Sequence, residues 1–249
     1  MRQSRKAAPS SLAHSVIASI GAPVEVRRHP AARRMTLRIS RKRRAVIVTL
    51  PMQCDIGEAT PFINRHLDWV RERLGCLPEP APFLDACVIP LRGVPHRLSF
   101  SGRVDGAMGS VEVRPAGADG CAIVEVAGRV EQAPRRLFNW LNEEALRDLD
   151  GRVLWHARNL GVKAKRIAVR DQTSRWGSCS TTGALSFSWR LVLAPPLILD
   201  YVAAHEVAHL KEMNHGPQFW ALVRKTFPRM DEAKGWLQLY GTDLHRYGA

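Results

Sequence analysis

Met35, Leu37 and Ile39 alternate with Arg34, Thr36, Arg38 and Ser40, the period of a half-buried strand. Ala45 to Leu50 returns before Pro51 after the connection Arg41-Lys42-Arg43-Arg44, so residues 24–51 read as a hairpin. The period changes between Gly57 and Leu74, where Ile63, Leu67, Val70 and Leu74 recur at helical spacing up to Gly75. Pro78, Pro80 and Pro82 form a stiff linker. Beyond it, Ala86–Ile89, His96–Phe100, Ser110–Arg114 and Cys121–Val126 are short strand candidates punctuated by glycines.

The second half is richer in helical pattern. Pro134 to Leu160 carries a long amphipathic stretch, with Gly151 marking a kink or a split and Gly161 in the usual C-terminal position. Lys165 to Val169 reads as a strand, Arg175 to Cys179 as a loop and Ala184 to Leu193 as a second strand. Leu197 to Leu210 is almost wholly apolar and opens at Pro195-Pro196, which stops a strand and suits a first helical turn. A helix that apolar is buried. Pro217 to Thr226 is a further helix, and Trp236 to Ala249 packs as a last helix or drapes over the site. The order predicts an α+β protein: a disordered tail over 1–22, a mostly β amino-terminal module over 23–128 and a catalytic domain over 129–249.

Charge changes this picture at one place. The net charge is +14, and Arg27 to Arg44 holds nine basic residues and no acid. Such a field attracts phosphates, nucleic acid or acidic substrates; a solvated hairpin is the simpler account. No apolar run approaches the length of a membrane span. Five scattered cysteines without a C-x-x-C pair argue against a disulfide framework or a cysteine zinc site and fit a reducing compartment. Residues 1–22 make a poor signal peptide because Pro9, Ser10, Ser11, His14 and Ser15 interrupt the apolar part, so a cytoplasmic location is expected.

The chemistry concentrates in His205-Glu206-x-x-His209. On a helix, positions i and i+4 lie on one face, so both imidazoles can address one metal ion. Glu206 lies about 100° round from His205, placed to hold a water as general base, the arrangement of a zinc hydrolase. Three ionisable groups buried together need a partner, and one ion satisfies all of them. The alternative is two hydrogen-bonded core histidines beside a paired glutamate. His215 follows six residues after His209, about 9 Å of rise and 240° of rotation on a continuous helix. It reaches the same ion only if the helix breaks, and Asn214-His215-Gly216-Pro217 supplies a break. Glu212 is the runner-up ligand. It stands where metzincins place glycine, so the turn must be built differently, at Asn214–Gly216. Arg175, Arg190 and Tyr201 are candidates to hold the substrate's developing oxyanion; Trp176 and Cys179 read as loop packing.

Several stretches are familiar together: Arg175-Trp176-Gly177-Ser178-Cys179-Ser180, Trp189-Arg190-Leu191, Ala194-Pro195, Asp200-Tyr201-Val202, His205-Glu206-x-x-His209-Leu210, Asn214-His215 and Phe219-Trp220. They resemble the YgjP-like zinc metallopeptidases, relatives of the SprT-like proteins. The specific match covers about residues 165–240; the amino-terminal β module matches more loosely. The resemblance implies a zincin-like catalytic domain with one Zn2+ per chain on His205, His209 and His215, and Glu206 as the catalytic residue. It implies a peptide or protein substrate. Some members have been linked to hydrolysis of UTP to UMP and pyrophosphate, so a nucleotide substrate on the same site is the alternative. A nucleic-acid-associated module with structural zinc, binding through the Arg27–Arg44 hairpin, is the third reading.

Overall fold

The computed structural model describes residues 20–40, 43–102, 110–116, 120–172 and 174–248. These divide between Glu79 and Pro80 into two units, at the proline-rich stretch and not at residue 128, where the sequence reading places its boundary.

In the first unit the expected hairpin is present. Strand β2 (Thr36–Ser40) runs antiparallel to β3 (Ala45–Leu50), and β1 (Val24–Arg28) lies parallel on the other edge of β3. Alternation of side chains across a strand sends Val24, Val26, Leu37, Ile39, Val46 and Val48 to one face, where they form a core with Ile63, Val70 and Leu74. The helical pattern over 57–74 divides at His66 into α1 (Ala59–Arg65) and α2 (Leu67–Gly75). Ile20 is buried in the same core, so it belongs to the unit that the sequence reading begins at residue 23. The rest of the expected tail, residues 1–19, lies outside the described residues, as do Arg41 and Lys42 of the basic run. Within that run Arg43 pairs with Glu25 at 2.7 Å, and Arg44 donates to the carbonyls of Leu77 and Pro78. Arg33, Arg34 and Arg38 are exposed.

The second unit opens with a sheet of β4 (Val88–Leu91), β5 (Val94–Phe100), β6 (Val111–Arg114) and β7 (Ala122–Val126), in the order β4-β5-β7-β6. Helix α3 (Ala133–Leu160) follows and runs unbroken through Gly151, about 42 Å long. Gly161 ends it at φ 63°, the left-handed conformation that glycine adopts without strain. The sheet and α3 share one core: Ile89, Leu98, Val124 and Val126 join Leu137, Leu141, Phe187 and Trp189. That shared core is why residues 80–126 belong with the helices and not with the hairpin.

A second sheet in this unit has the order β8-β10-β9, from β8 (Arg166–Arg170), β9 (Gly177–Cys179) and β10 (Ala184–Ser188). Two expectations are corrected here. Gly177 to Cys179 is an edge strand, antiparallel to β10, and not only loop. The strand expected over 184–193 stops at Ser188, whose hydroxyl accepts the Arg190 N–H and starts a buried 3-10 turn, Trp189–Leu193. Helix α4 (Pro196–Ala208) then enters through Pro195-Pro196, and α5 (Pro217–Thr226), α6 (Met230–Tyr240) and a 3-10 segment (Gly241–Arg246) complete the unit. No helix of the described residues is long and apolar enough to cross a membrane.

A buried polar line joins three of these helices. His156 of α3, fully buried, meets Asp200 Oδ1 through Nε2 at 2.7 Å and Thr226 Oγ1 through Nδ1 at 2.7 Å. Arg152 Nε also donates to Asp200, at 2.6 Å. A carboxylate only accepts, so Nε2 of His156 donates to it. Burial pushes the Asp200 carboxyl up, but the hydrogen bonds from His156 and Arg152 outweigh it and hold the group below its ordinary value. Asp200 lies on α4 and Thr226 at the end of α5, so the line ties together the two helices that flank the His209–His215 turn.

Candidate metal centre

Helix α4 buries Ile198, Leu199, Val202, Ala203, Ala204, Val207 and Ala208 on both of its sides, and each large apolar side chain so placed contributes about 1.5–3 kcal/mol. Burial of the whole helix takes Glu206 down to 5 % exposed. The helix ends two residues earlier than its apolar pattern suggests. Ala208 is the last helical residue, and the Ala208 carbonyl accepts both Lys211 N–H and Glu212 N–H at 3.0 Å. Glu212 is therefore outside the helix. Its carbonyl accepts the His209 Nδ1–H at 3.0 Å, and its carboxylate accepts Asn214 N–H at 3.0 Å. The chain thus turns twice, at His209–Glu212 and again at Asn214–Gly216, where Gly216 N–H donates to the Asn214 carbonyl at 2.7 Å.

The double turn returns His215 to the helix. One ring nitrogen from each of His205, His209 and His215 lies within 4.8 Å of the other two. Nε2 of His205 and Nε2 of His215 stand 3.1 Å apart. Two nitrogens bound tetrahedrally at about 2.0–2.1 Å from one zinc ion stand about 3.3 Å apart, so the spacing fits such an ion. His209 donates from Nδ1, which leaves its Nε2 lone pair free for a metal, the usual outer-shell arrangement for a ligating imidazole. Burial, then the neighbouring His209 and His215 and the charge of Lys234, lower the His205 pKa to about 3. His209 is lowered as well, chiefly by burial. Both rings are thus neutral at pH 7, as metal ligands must be.

Phe219, fully buried in the first turns of α5, floors the group. Its ring centroid is 4.9 Å from that of His205, 4.4 Å from His209 and 4.7 Å from His215. Trp220 lies beside His205 and His215. Glu206 faces the edge strand, and a Cβ on Gly177 would stand 2.5 Å from its Oε1. Burial pushes the Glu206 carboxyl up to about 8, while the charge of Arg175 pulls the other way.

The other predicted residues separate. Arg175 is exposed and electrostatically close to Glu206. Arg190 is 1 % exposed, bonded to Asp171 and to the Tyr247 carbonyl, and stacked on Trp189; it has no surface to offer a substrate. Tyr201 is buried between His205 and Phe227, and burial, then Glu206 and Asp231, push its hydroxyl up to about 12. Cys179 stands apart from the group of nitrogens among the described residues, its thiol directed to the Ser180 carbonyl. Burial and Glu206 push that thiol up, which opposes a ligating thiolate. Trp176 stacks on His245 at 4.8 Å and meets Gly241, so the carboxy-terminal segment packs on the loop before β9. Three contributors escape sequence reasoning: Phe219 as floor, Gly177 as the space for Glu206, and Lys234. Gly177, beside Trp176, and Phe219, beside Trp220, each stood in a short motif that offered a signal; Lys234 stood in none.

The model of the YgjP-like metallopeptidase domain matches residues 33–240 of this chain. The chain belongs to the YgjP-like metallopeptidase family. Among solved structures it is similar to the metallopeptidase zymogen abylysin of Pyrococcus abyssi, at 23% identity, over 41% of this chain and 99% of that one, with a TM-score of 0.35. No curated protein matches it.

Proposed function

We propose that the protein is a zinc-dependent peptidase in which His205, His209 and His215 hold the ion and Glu206 is the general base. The observation that carries this is the convergence of three imidazoles beside a buried carboxylate. When bound on these three histidines, a zinc ion would supply the acidification of water and the polarisation of a carbonyl. Glu206, buried on the same helix beside the imidazoles, would accept the proton of the attacking water and deliver it to the leaving nitrogen. Strand β9 is an edge strand beside α4, and an extended peptide pairs with such an edge by main-chain hydrogen bonds. Arg175, exposed just before β9, faces the substrate side; Arg190 and Tyr201 serve the packing around it.

The test is metal analysis with a cleavage assay on an unfolded protein. The expected result is about one zinc per chain, cleavage abolished by a chelator, and Glu206→Gln retaining zinc while losing turnover. Full activity in Glu206→Gln would sink the proposal. Nucleoside triphosphates belong in the same screen: pyrophosphate release from UTP without peptide cleavage would replace the peptidase by a nucleotide pyrophosphatase on the same residues.

A further inference from the structure

The aromatic rim of the histidine cluster leads to a cation. Trp220 is half-buried, with its ring centroid 5.6 Å from His215 and 5.8 Å from His205. Over the same indole, 4.5 Å from its centroid, stands Nζ of Lys234. Lys234 lies on α6, which packs against α4, so helix packing and not a loop sets its place. Its charge is felt at His205, behind burial and the two other histidines in effect.

Lys234 is half-buried, and among the described residues it forms no ion pair. Asp231, one turn earlier on α6, is paired with Arg224 at 3.5 Å. An ammonium group is a compact, strongly hydrated charge with three donors. Burial removes part of its water, and the face of Trp220 replaces only some of that loss. An oxygen anion arriving at the histidine cluster would supply the rest.

We infer that Lys234 is a specificity residue that binds a carboxylate of the substrate beside the metal centre. The inference rests on the peptidase reading of that centre and names its substrate class: peptides with a carboxylate close to the bond that is cut. The carboxylate has two sources, the free terminus of a peptide or an Asp or Glu side chain, and both present the same chemistry to the lysine.

The experiment uses zinc-loaded Glu206→Gln, which binds without turnover, titrated by calorimetry. Four peptides share one sequence, with a free or amidated carboxy terminus and Asp or Asn in the middle. The carboxylate form should bind about fivefold tighter than its neutral counterpart, the effect of one partly screened ion pair. The preference should vanish in Lys234→Met and persist in part in Lys234→Arg. Preference for the free terminus assigns an exopeptidase, and preference for Asp assigns selection of an acidic residue. Equal binding of all four peptides, no measurable binding of any, or a preference that survives Lys234→Met overturns the inference. Cleavage of the same peptides by the wild type is read separately. A protein that prefers the carboxylate forms but cuts none of them would retain this inference and lose the peptidase proposal.

Discussion

Gly177 and Glu206 are in a contact that only glycine permits: a Cβ at residue 177 would stand 2.5 Å from Oε1 and 2.6 Å from Cγ of the glutamate. The backbone of β9 is thereby the wall against which the buried carboxylate lies. Glu206 is held from one side by its own helix and from the other by a strand far from it in local sequence pattern.

Gly177→Ala should therefore displace Glu206 while leaving the three histidines in place. Overpacking of this kind costs about 1–3 kcal/mol. The expected outcome is a large fall in peptide cleavage with zinc content unchanged, measured by metal analysis and turnover on one preparation. Wild-type turnover in the variant would show that Glu206 is free to move.

Phe219→Ala removes the ring under all three imidazoles. A buried Phe→Ala change costs about 3–5 kcal/mol, and loss of support around ligating histidines weakens metal binding about 10–100-fold. Competition with a chromogenic chelator measures the second effect, and thermal melting the first. An unchanged zinc affinity would mean that the α4 backbone and the double turn alone orient the ligands.

Metal removal should destabilise the second unit. Free zinc at a thousandfold its Kd adds about 4 kcal/mol to the folded state, worth about 10 °C in Tm for a domain of this size. Chelation should lower the melting temperature by that order. His215→Ala should reduce the zinc-dependent part of the shift, because His215 is the one histidine of the three carried by the turn and not by α4 or its C-cap.

Acid should act through Asp200. Its folded pKa is held below the ordinary 3.8 by His156 and Arg152 against the opposing effect of burial. A carboxyl with a depressed folded pKa contributes stability that is fully present above the unfolded value and is lost as pH falls through the folded one. Wild-type stability should therefore drop steeply below about pH 4. Asp200→Asn should cost about 2 kcal/mol at neutral pH and show a shallower acid loss. Urea titrations at pH 7 and pH 3.5 compare the two, and equal slopes with pH would remove Asp200 from the account.

What the sequence by itself determined is local. Period-2 alternation marks β2 and β3, the apolar run after Pro195-Pro196 marks a buried helix, and H-E-x-x-H sets two histidines and a glutamate at fixed positions along it. These follow from the chain's own geometry over a few residues. Gly151 shows the limit: a signal for a kink is overridden because α3 packs its length against the sheet and α4. Tertiary structure decided the rest. It placed residues 80–126 in the core of α3, made 177–179 an edge strand, and buried Arg190 on Asp171. It also brought the three imidazoles together, because His215 reaches His205 only through a double turn stabilised by contacts of Glu212 and held by Phe219 from below. Pairings across many residues depend on which surfaces the fold brings together, and no local periodicity encodes that. Lys234 is the clearest case: in sequence it is one lysine between the predicted helix 217–226 and the segment from Trp236, and only the packing of α6 on α4 sets it over Trp220 at the rim of the histidines.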